Sequence, residues 1–400
     1  MNVFFCETFD DGTVGGSHAC LYNLIRNLDR SAVRCTVGFY GPNVYVSRYQ
    51  ALGVGVEILP FRSPRRIGFV VWRKLVNWYY RNHQAGRYLA GFFRREGFDL
   101  VVLNNSIYAS LLFVRVCRTL KIPVVVYERG IGRFERRHIE ATAGVQASIA
   151  ISDAVYDAVR RAGFLTPIVE RIYDGIDPAT MIPCRKPDEL KTELGIPPSA
   201  RIVGIVGNVR PWKGHRYFLD AYRRMADEDE TLWAVIVGGW GEEDREYQLS
   251  LQATVDRAGL SDRVKFLGYR GDIPDLLSIF DVFVHASIKP EPFGMVILEA
   301  AAAKKPVVAT NIGGPVEILG GGDCGLLVPP ENGAAIAAAC RQYLQDPAFA
   351  SEQVQRAYDR VLQRFHIHQT VERTLDLFDR ILSGGAPAEG ARGSWRTVSR

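Results

Sequence analysis

The sequence predicts an α/β protein built from two doubly wound parallel-sheet domains. Three observations carry this expectation. Short apolar, β-branched runs alternate along the chain with helix-type stretches, the rhythm of parallel strands covered by helices. Four hundred residues exceed one usual hydrophobic core, so two domains are expected. Finally, the regular pattern stops at Asp174–Pro178, and Pro183, Pro187, Pro197 and Pro198 punctuate the residues that follow, which reads as a linker.

Taken in order, Asn2–Cys6 is a buried-type strand, followed by a loop holding Gly12, Gly15 and Gly16. Ser17 is the expected N-cap of a helix running to about Leu28. Cys35–Phe39, Val56–Leu59, Leu100–Leu103, Pro123–Tyr127 and Ala147–Ile151 supply further strands of a first domain, residues 1–180. Residues 181–199 are the expected linker. The second domain, residues 200–365, opens at Arg201 with RIVGIVGNVRPWKGH. Its strands continue at Leu232–Gly238, Val264–Leu267, Val282–Ala286, Pro306–Ala309 and Gly325–Val328. Glu352–Leu382 reads as one or two amphipathic helices. The tail GGAPAEGARGSWRTVSR, residues 384–400, has too little apolar content to order itself.

Composition sets bounds on function. The start, MNVFFCETFDDG, lacks a basic n-region, so no signal peptide is expected, and no apolar run reaches the ~18 residues of a spanning helix. The seven cysteines are scattered without a C-x2-C pair, and they read as reduced core thiols. These features agree with a cytoplasmic enzyme without singling one out, and a cytoplasmic location is the expectation. The net charge of +5, with no recognition motif, argues against nucleic acid. Phe61–Arg95 is different: it carries nine Lys/Arg, nine aromatics including Trp72, Trp78, Tyr79 and Tyr80, and no acid. That mixture suits peripheral contact with an anionic membrane or an acidic acceptor, and equally a helix pair with buried aromatics and a solvated Arg face.

The most informative stretch is IKPEPFGMVILEAAAAKKPVVATNIGGPVEIL, from Ile288 to Leu319. Glu291 lies in a Pro-bounded loop, Gly294 marks a turn, and Met295–Lys304 is rich in helix formers. At ~1.5 Å per residue, the eight positions from Glu291 to Glu299 cover roughly 12 Å, about the span of a sugar nucleotide. The helix start offers free N–H groups and a positive dipole end suited to phosphate. Two such glutamates alone equally describe a solvated surface helix. The flanks decide between them: a strand before (DVFVHAS), a strand after (PVVAT) and the Gly313-Gly314-Pro315 turn make a βαβ unit, with its loops at the ligand-binding edge of a parallel sheet.

This segment resembles the signature of the group 1 glycosyltransferases (glycosyltransferase family 4), retaining enzymes of the GT-B fold. Glu291, Phe293, Gly294, Glu299 and Gly313-Gly314 fall on its motif. The resemblance implies two Rossmann-like domains facing a cleft, with residues 366–383 as a helix crossing back to the first. It implies transfer of a sugar from a UDP- or GDP-sugar to a glycan or lipid-linked acceptor, in cell-surface polysaccharide or glycolipid synthesis. Glu291, with backbone amides of Phe293, Gly294, Met295 and Val296, would bind the donor sugar, and Glu299 the ribose. Arg210 and Lys213 would hold the diphosphate, and the backbone around Tyr269 the base.

Other candidates follow from residue chemistry. Arg210 and Lys213, in GNVRPWKG after a strand, are cations suited to neutralising a departing diphosphate. The family's Lys-Gly pair matches Lys213-Gly214, whereas Asn208 stands where it usually has Arg; Arg210, two positions on, is the candidate substitute, and Lys213 is the firmer expectation. Gly15 and Gly16 allow close backbone approach to the donor phosphate. Their loop is not G-x-G-x-x-G, which ranks an NAD enzyme below a transferase. Glu128, in VVVYER, stands where related enzymes often carry His. It is a candidate to steady a cationic transition state or accept a hydroxyl proton, and equally reads as a salt-bridged surface residue. Asn104-Asn105-Ser106 are polar groups placed to meet an acceptor. Asp227-Glu228-Asp229 is formally D-x-D but reads as a solvated turn, so no metal and no other cofactor are expected. A nucleotide-sugar epimerase on the same architecture, or a non-catalytic nucleotide-sugar-binding protein, is the alternative.

Overall fold

Residues 1–7, 15–60 and 84–384 are described by a computed structural model. Gly12, residues 61–83 of the basic aromatic run and the tail beyond Gly384 lie outside the described residues. The chain divides into two units: Met1–Gly175 together with Ile367 onward, and Ile176–His366.

The first unit is a seven-stranded sheet: β1 (Asn2–Glu7), β2 (Arg34–Phe39), β3 (Gly55–Ile58), β4 (Leu100–Leu103), β5 (Val124–Glu128), β6 (Ala147–Ala150) and β7 (Ile168–Arg171). Its order is β3-β2-β1-β4-β5-β6-β7, and every pair is parallel. Strand composition explains this: LVVL of β4 is buried along its whole length, as a strand covered on both faces must be. Phe4 of β1 meets Phe92, Phe93, Phe98 and Phe113 at centroid distances of 5.1–6.3 Å, and each buried ring contributes roughly 1.5–3 kcal/mol. The helix Ile367–Leu382 packs on this unit. Thr374 meets the Tyr127 hydroxyl at 2.8 Å, Thr370 donates to the Tyr173 carbonyl, and Arg380 pairs with Glu170. A side chain on Gly175 would sit 2.5 Å from Thr370 Oγ1, so glycine is needed where the chain passes this helix.

The second unit repeats the plan with six strands: β8 (Arg201–Val206), β9 (Leu232–Val237), β10 (Val264–Phe266), β11 (Val282–His285), β12 (Val307–Thr310) and β13 (Leu326–Val328). The order is β10-β9-β8-β11-β12-β13, again all parallel. In both sheets the order reverses beside the first strand, the topological switch point where such sheets bind ligands at the strands' carboxyl ends.

Several details differ from the sequence expectations. Gly15, not Ser17, is the N-cap of the first helix, Gly16–Arg26, so Ser17 lies inside it. β7 is an additional strand. IVER is short and half polar, so it carries no apolar run. Residues 181–199 are not a free linker but fold with the second unit: Asp275 accepts from the Cys184 and Arg185 amides, and Pro187–Glu193 is helical. The helix after Gly294 spans Met295–Ala302. Glu299 is therefore little more than one turn along it, and Glu291 stands three residues before its cap.

Candidate functional site

The site in the second unit begins with three loops at the carboxyl ends of β8, β11 and β12. The loop after β8 ends in a short 3-10 turn, Pro211–Lys213, and is tied to the β11 loop by the Ile288 amide donating to the Trp212 carbonyl at 2.8 Å. Gly214 follows with φ +74°. A Cβ there would lie 1.8 Å from the Ala286 carbonyl oxygen, so only glycine lets the two loops close on each other. On the other side, the Gly314 amide donates to the Glu291 carbonyl at 2.9 Å, and Glu291 bridges Gly313. A Cβ on Gly313 or Gly314 would strike the backbone of Glu291 or Phe293 at 2.2–2.3 Å.

This packing brings Lys213 Nζ to 2.6 Å from Glu291 Oε2, with both side chains largely buried. Ser287 Oγ donates to the same oxygen at 3.2 Å, and His285 Nε2 stands 3.4 Å from it. Burial opposes a charge on Glu291. The Lys213 ammonium outweighs it, helped by hydrogen bonds from His285 and Lys213, and holds the carboxyl well below its usual range. Lys213 Nζ also lies 4.2 Å from the centre of the Trp212 ring.

The helix Met295–Ala302 starts behind Gly294, whose φ of +115° gives no capping side chain. Its first-turn amides therefore lack a side-chain cap. Phe293 is buried edge-on against Phe365, which leaves its backbone as the part able to meet a ligand. Glu299 is half-buried, and among the described residues its carboxyl has no hydrogen-bond or ion-pair partner. Burial pushes it up to about 7.

Arg210 is held elsewhere in this unit: Nε is 3.3 Å from Asp244 and Nη2 is 3.8 Å from Glu243, acids of the loop after β9. Tyr269, 58% exposed, follows β10, and the Gly238 amide donates to the Gly268 carbonyl beside it. Of the D-x-D run, Asp229 takes hydrogen bonds from Thr231 and pairs with Arg201, and Glu228 pairs with Arg341.

The first unit holds a separate buried polar group at the ends of β1, β4 and β5. Glu128 is fully buried. Its Oε1 accepts from the Ile107 amide at 3.1 Å, and its Oε2 has no partner among the described residues. Burial pushes its carboxyl up to about 7, against the pull of Ser106 and the Ile107 amide. Ser106 has φ +60°, a strained conformation of the kind that gathers at functional sites. Asn104 and Asn105 give their amide groups to Glu7, and Arg129 is bound by Asn104 and Asp174. Gly15 and Gly16 start the first helix, with nothing within 4 Å of an added Cβ at either.

Residues 187–360 match the family described as glycosyl transferases group 1, and residues 14–180 match glycosyltransferase family 4. The lipopolysaccharide core biosynthesis mannosyltransferase LpcC of Rhizobium leguminosarum is 30% identical, over 62% of this chain and 69% of its own. The chain is a group 1 glycosyltransferase. The corresponding mannosyltransferase LpsB of Rhizobium meliloti is 26% identical over 83% of this chain and 91% of its own. Among solved structures, Anabaena HepE in complex with UDP-glucose superposes with a TM-score of 0.80 at 25% identity, covering 95% of this chain and 99% of that one. The two Rossmann-like sheets are those of the GT-B fold.

Within this glycosyltransferase, the residues expected from sequence fall into three places. Lys213, Glu291, Phe293, Gly294, Met295, Val296 and Glu299 converge around one helix start. Arg210 and Tyr269 lie on neighbouring loops of the same sheet edge, and Gly15, Gly16 and Glu128 belong to the first unit. Sequence reasoning missed His285, Ser287 and His215. His285 closes an apolar strand and Ser287 follows two residues later, so neither carries a motif. His215, fully buried beneath the β8 loop, has its pKa pushed down to about 4 by burial and the nearby Lys213, and so adds no charge there.

Proposed function

We propose that this glycosyltransferase moves a sugar from a nucleoside-diphosphate sugar to a glycan or lipid-linked acceptor, with retention at the anomeric carbon and without a metal ion, in synthesis of a cell-surface polysaccharide or glycolipid. The observation that carries the reading is the Lys213–Glu291 pair beside an uncapped helix start, with the unpartnered Glu299 one turn on. That is one anion-binding position flanked by two hydroxyl-binding carboxylates. The likeness to lipopolysaccharide-core mannosyltransferases and to a protein solved with UDP-glucose supports the substrate class.

In this reading Glu299 accepts from the ribose hydroxyls and Glu291 from a donor-sugar hydroxyl. Lys213, Arg210 and the amides of Met295 and Val296 stabilise the charge that grows on the diphosphate. The bond from the anomeric carbon to the β-phosphate oxygen breaks with its electron pair leaving on the phosphate. The acceptor oxygen bonds to that carbon on the same face, and its proton passes to the departing phosphate. A covalent double displacement would need a carboxylate under the ring. Glu128 is the first unit's candidate, and a transition state of ion-pair character needs it only as a charge or hydroxyl partner.

Thermal stabilisation by UDP, GDP, ADP and their sugar conjugates tests the donor site, since a ligand at 100 times its dissociation constant adds ~2.7 kcal/mol. A shift with one nucleotide series, lost in Glu299→Ala, and turnover unchanged by EDTA are the expected results. No shift with any of them, or loss of activity restored by Mg²⁺, would overturn the reading. Donor consumption without an acceptor, giving an epimerised sugar nucleotide, would mark an epimerase instead.

A further inference from the structure

We infer that His285 is a positioning residue that, with Ser287, locks the Glu291 carboxylate so that it offers a single oxygen, Oε1, to one hydroxyl of the donor sugar; the inference rests on the donor reading above. Donor and acceptor accounting leads there. Every hydrogen bond to the Glu291 side chain lands on Oε2: Lys213 Nζ at 2.6 Å, Ser287 Oγ at 3.2 Å and His285 Nε2 at 3.4 Å. Among the described residues nothing donates to Oε1. A carboxylate oxygen only accepts, and Ser287 spends its one proton on Glu291. His285 Nε2, 3.1 Å from Ser287 Oγ and facing that oxygen as well, must therefore carry the ring proton. Nδ1 has no partner among the described residues.

The cluster is built rather than incidental. His285 is 3% exposed and Ser287 fully buried. The Ser287 carbonyl is fixed by the Thr310 hydroxyl at 2.8 Å, and β11 pairs His285 with Ala309 of β12. Strand alternation sends Val282 and Val284 into the main apolar core and leaves His285 on the opposite face. A buried imidazole with one unsatisfied nitrogen serves packing worse than Leu or Phe would. What it does supply is an N–H aimed at Glu291. With Lys213, Ser287 and His285 all meeting Oε2, rotation of the carboxyl about its last torsion would break all three contacts. Glu291 is thus preset, and its free oxygen selects a hydroxyl at one position of the sugar ring.

The test compares His285→Ala, His285→Gln and Ser287→Ala with the wild type, using UDP, UDP-glucose, GDP and GDP-mannose as probes in calorimetry and thermal melts. Gln can place an N–H near the Nε2 position, whereas Ala cannot. For the sugar nucleotide that the wild type binds, we expect His285→Ala to weaken affinity about tenfold, the range of a hydrogen bond to a charged group. Affinity for the parent nucleoside diphosphate should be unchanged, and His285→Gln should recover most of the loss. Equal loss for nucleotide and sugar nucleotide, or no recovery with Gln alongside a matching fall in Tm, would mean that His285 only supports the fold. Unchanged sugar-nucleotide affinity in His285→Ala would equally overturn the inference. Absence of binding of all four probes to the wild type would instead overturn the donor reading beneath it.

Discussion

Lys213 and Glu291 lie 78 positions apart and meet at 2.6 Å because two glycines leave no room for anything but backbone between their loops. Gly214 lets Lys213 approach past the Ala286 carbonyl, and Gly313 lets the next loop press Glu291 inward. The ion pair is thus the outcome of backbone packing at the edge of one sheet. In the proposed reading the pair sets a cation beside the diphosphate and a carboxylate beside a sugar hydroxyl.

Breaking that pair separates its structural and chemical roles. Lys213→Met leaves a largely buried carboxylate without its counter-charge, which costs toward the lower end of roughly 3–5 kcal/mol. Glu291→Gln likewise leaves the ammonium unpaired. The double variant removes both charges, so its Tm should recover most of the single losses in a double-mutant cycle. Activity should not recover, and each variant should fall ~10²–10³-fold in kcat, the size of one lost transition-state contact. Melts and initial rates on all four proteins check this, and a double variant as unstable as the worse single would show that the pair is not coupled.

If Glu299 holds the ribose as proposed, donor binding depends on pH. Its carboxyl sits at about 7 because burial disfavours its charge, yet ribose hydroxyls bind best to the ionised form. Binding therefore lowers its pKa and releases a proton. Affinity for a sugar nucleotide, whose own diphosphate does not titrate in this range, should rise up to tenfold per unit from pH 5 toward 7 and level off above it. Glu299→Gln should flatten the profile. Calorimetry at pH 5.5, 6.5, 7.5 and 8.5 decides, and a flat wild-type profile would remove Glu299 from the site.

Glu128 should be a liability for stability. Its folded pKa of about 7 stands above the ordinary carboxyl value of 4.5, so the folded state holds the proton more tightly than the unfolded one. The destabilisation begins as pH rises past 4.5, grows up to about 7, and is then constant. At 1.36 kcal/mol per unit, Glu128→Gln should be about 3 kcal/mol more stable than the wild type at pH 8 and less than about 1 kcal/mol more stable at pH 5. If Glu128 serves the reaction, the same substitution lowers turnover, the usual opposition of stability and function at such sites. Urea melts at the two pH values, beside activity, read both effects.

Much of this was open to sequence reasoning, for a definite reason. Parallel strands covered on both faces are continuous apolar runs, so LVVL, VFVH and VVAT announce themselves. IVER of β7 pairs only with β6 at the sheet edge and carries no such signal. The Glu291–Glu299 stretch is readable because local propensity and the family pattern agree there. Long-range pairing is not readable: nothing in GNVRPWKG says that Lys213 faces Glu291 while Arg210 turns to Asp244. His285 is hidden for a related reason, since its role depends on the carboxylate that a later loop brings to it.

Two glycine substitutions should separate packing from ligand contact. At Gly214 the left-handed φ of +74° and a Cβ only 1.8 Å from the Ala286 carbonyl make alanine incompatible with the loop, so Gly214→Ala should lower Tm sharply and displace Lys213. Gly16 differs: it begins the helix Gly16–Arg26, and an added Cβ meets nothing within 4 Å. Replacing glycine by alanine in a helix gains up to roughly 1 kcal/mol, so Gly16→Ala should fold at least as well as the wild type. Among the described residues nothing thus requires glycine at this position. If its backbone approaches the donor phosphate, Gly16→Ala should be stable yet bind the sugar nucleotide more weakly. A variant that is both more stable and fully able to bind would take Gly16 out of the donor site and leave phosphate recognition to the second unit.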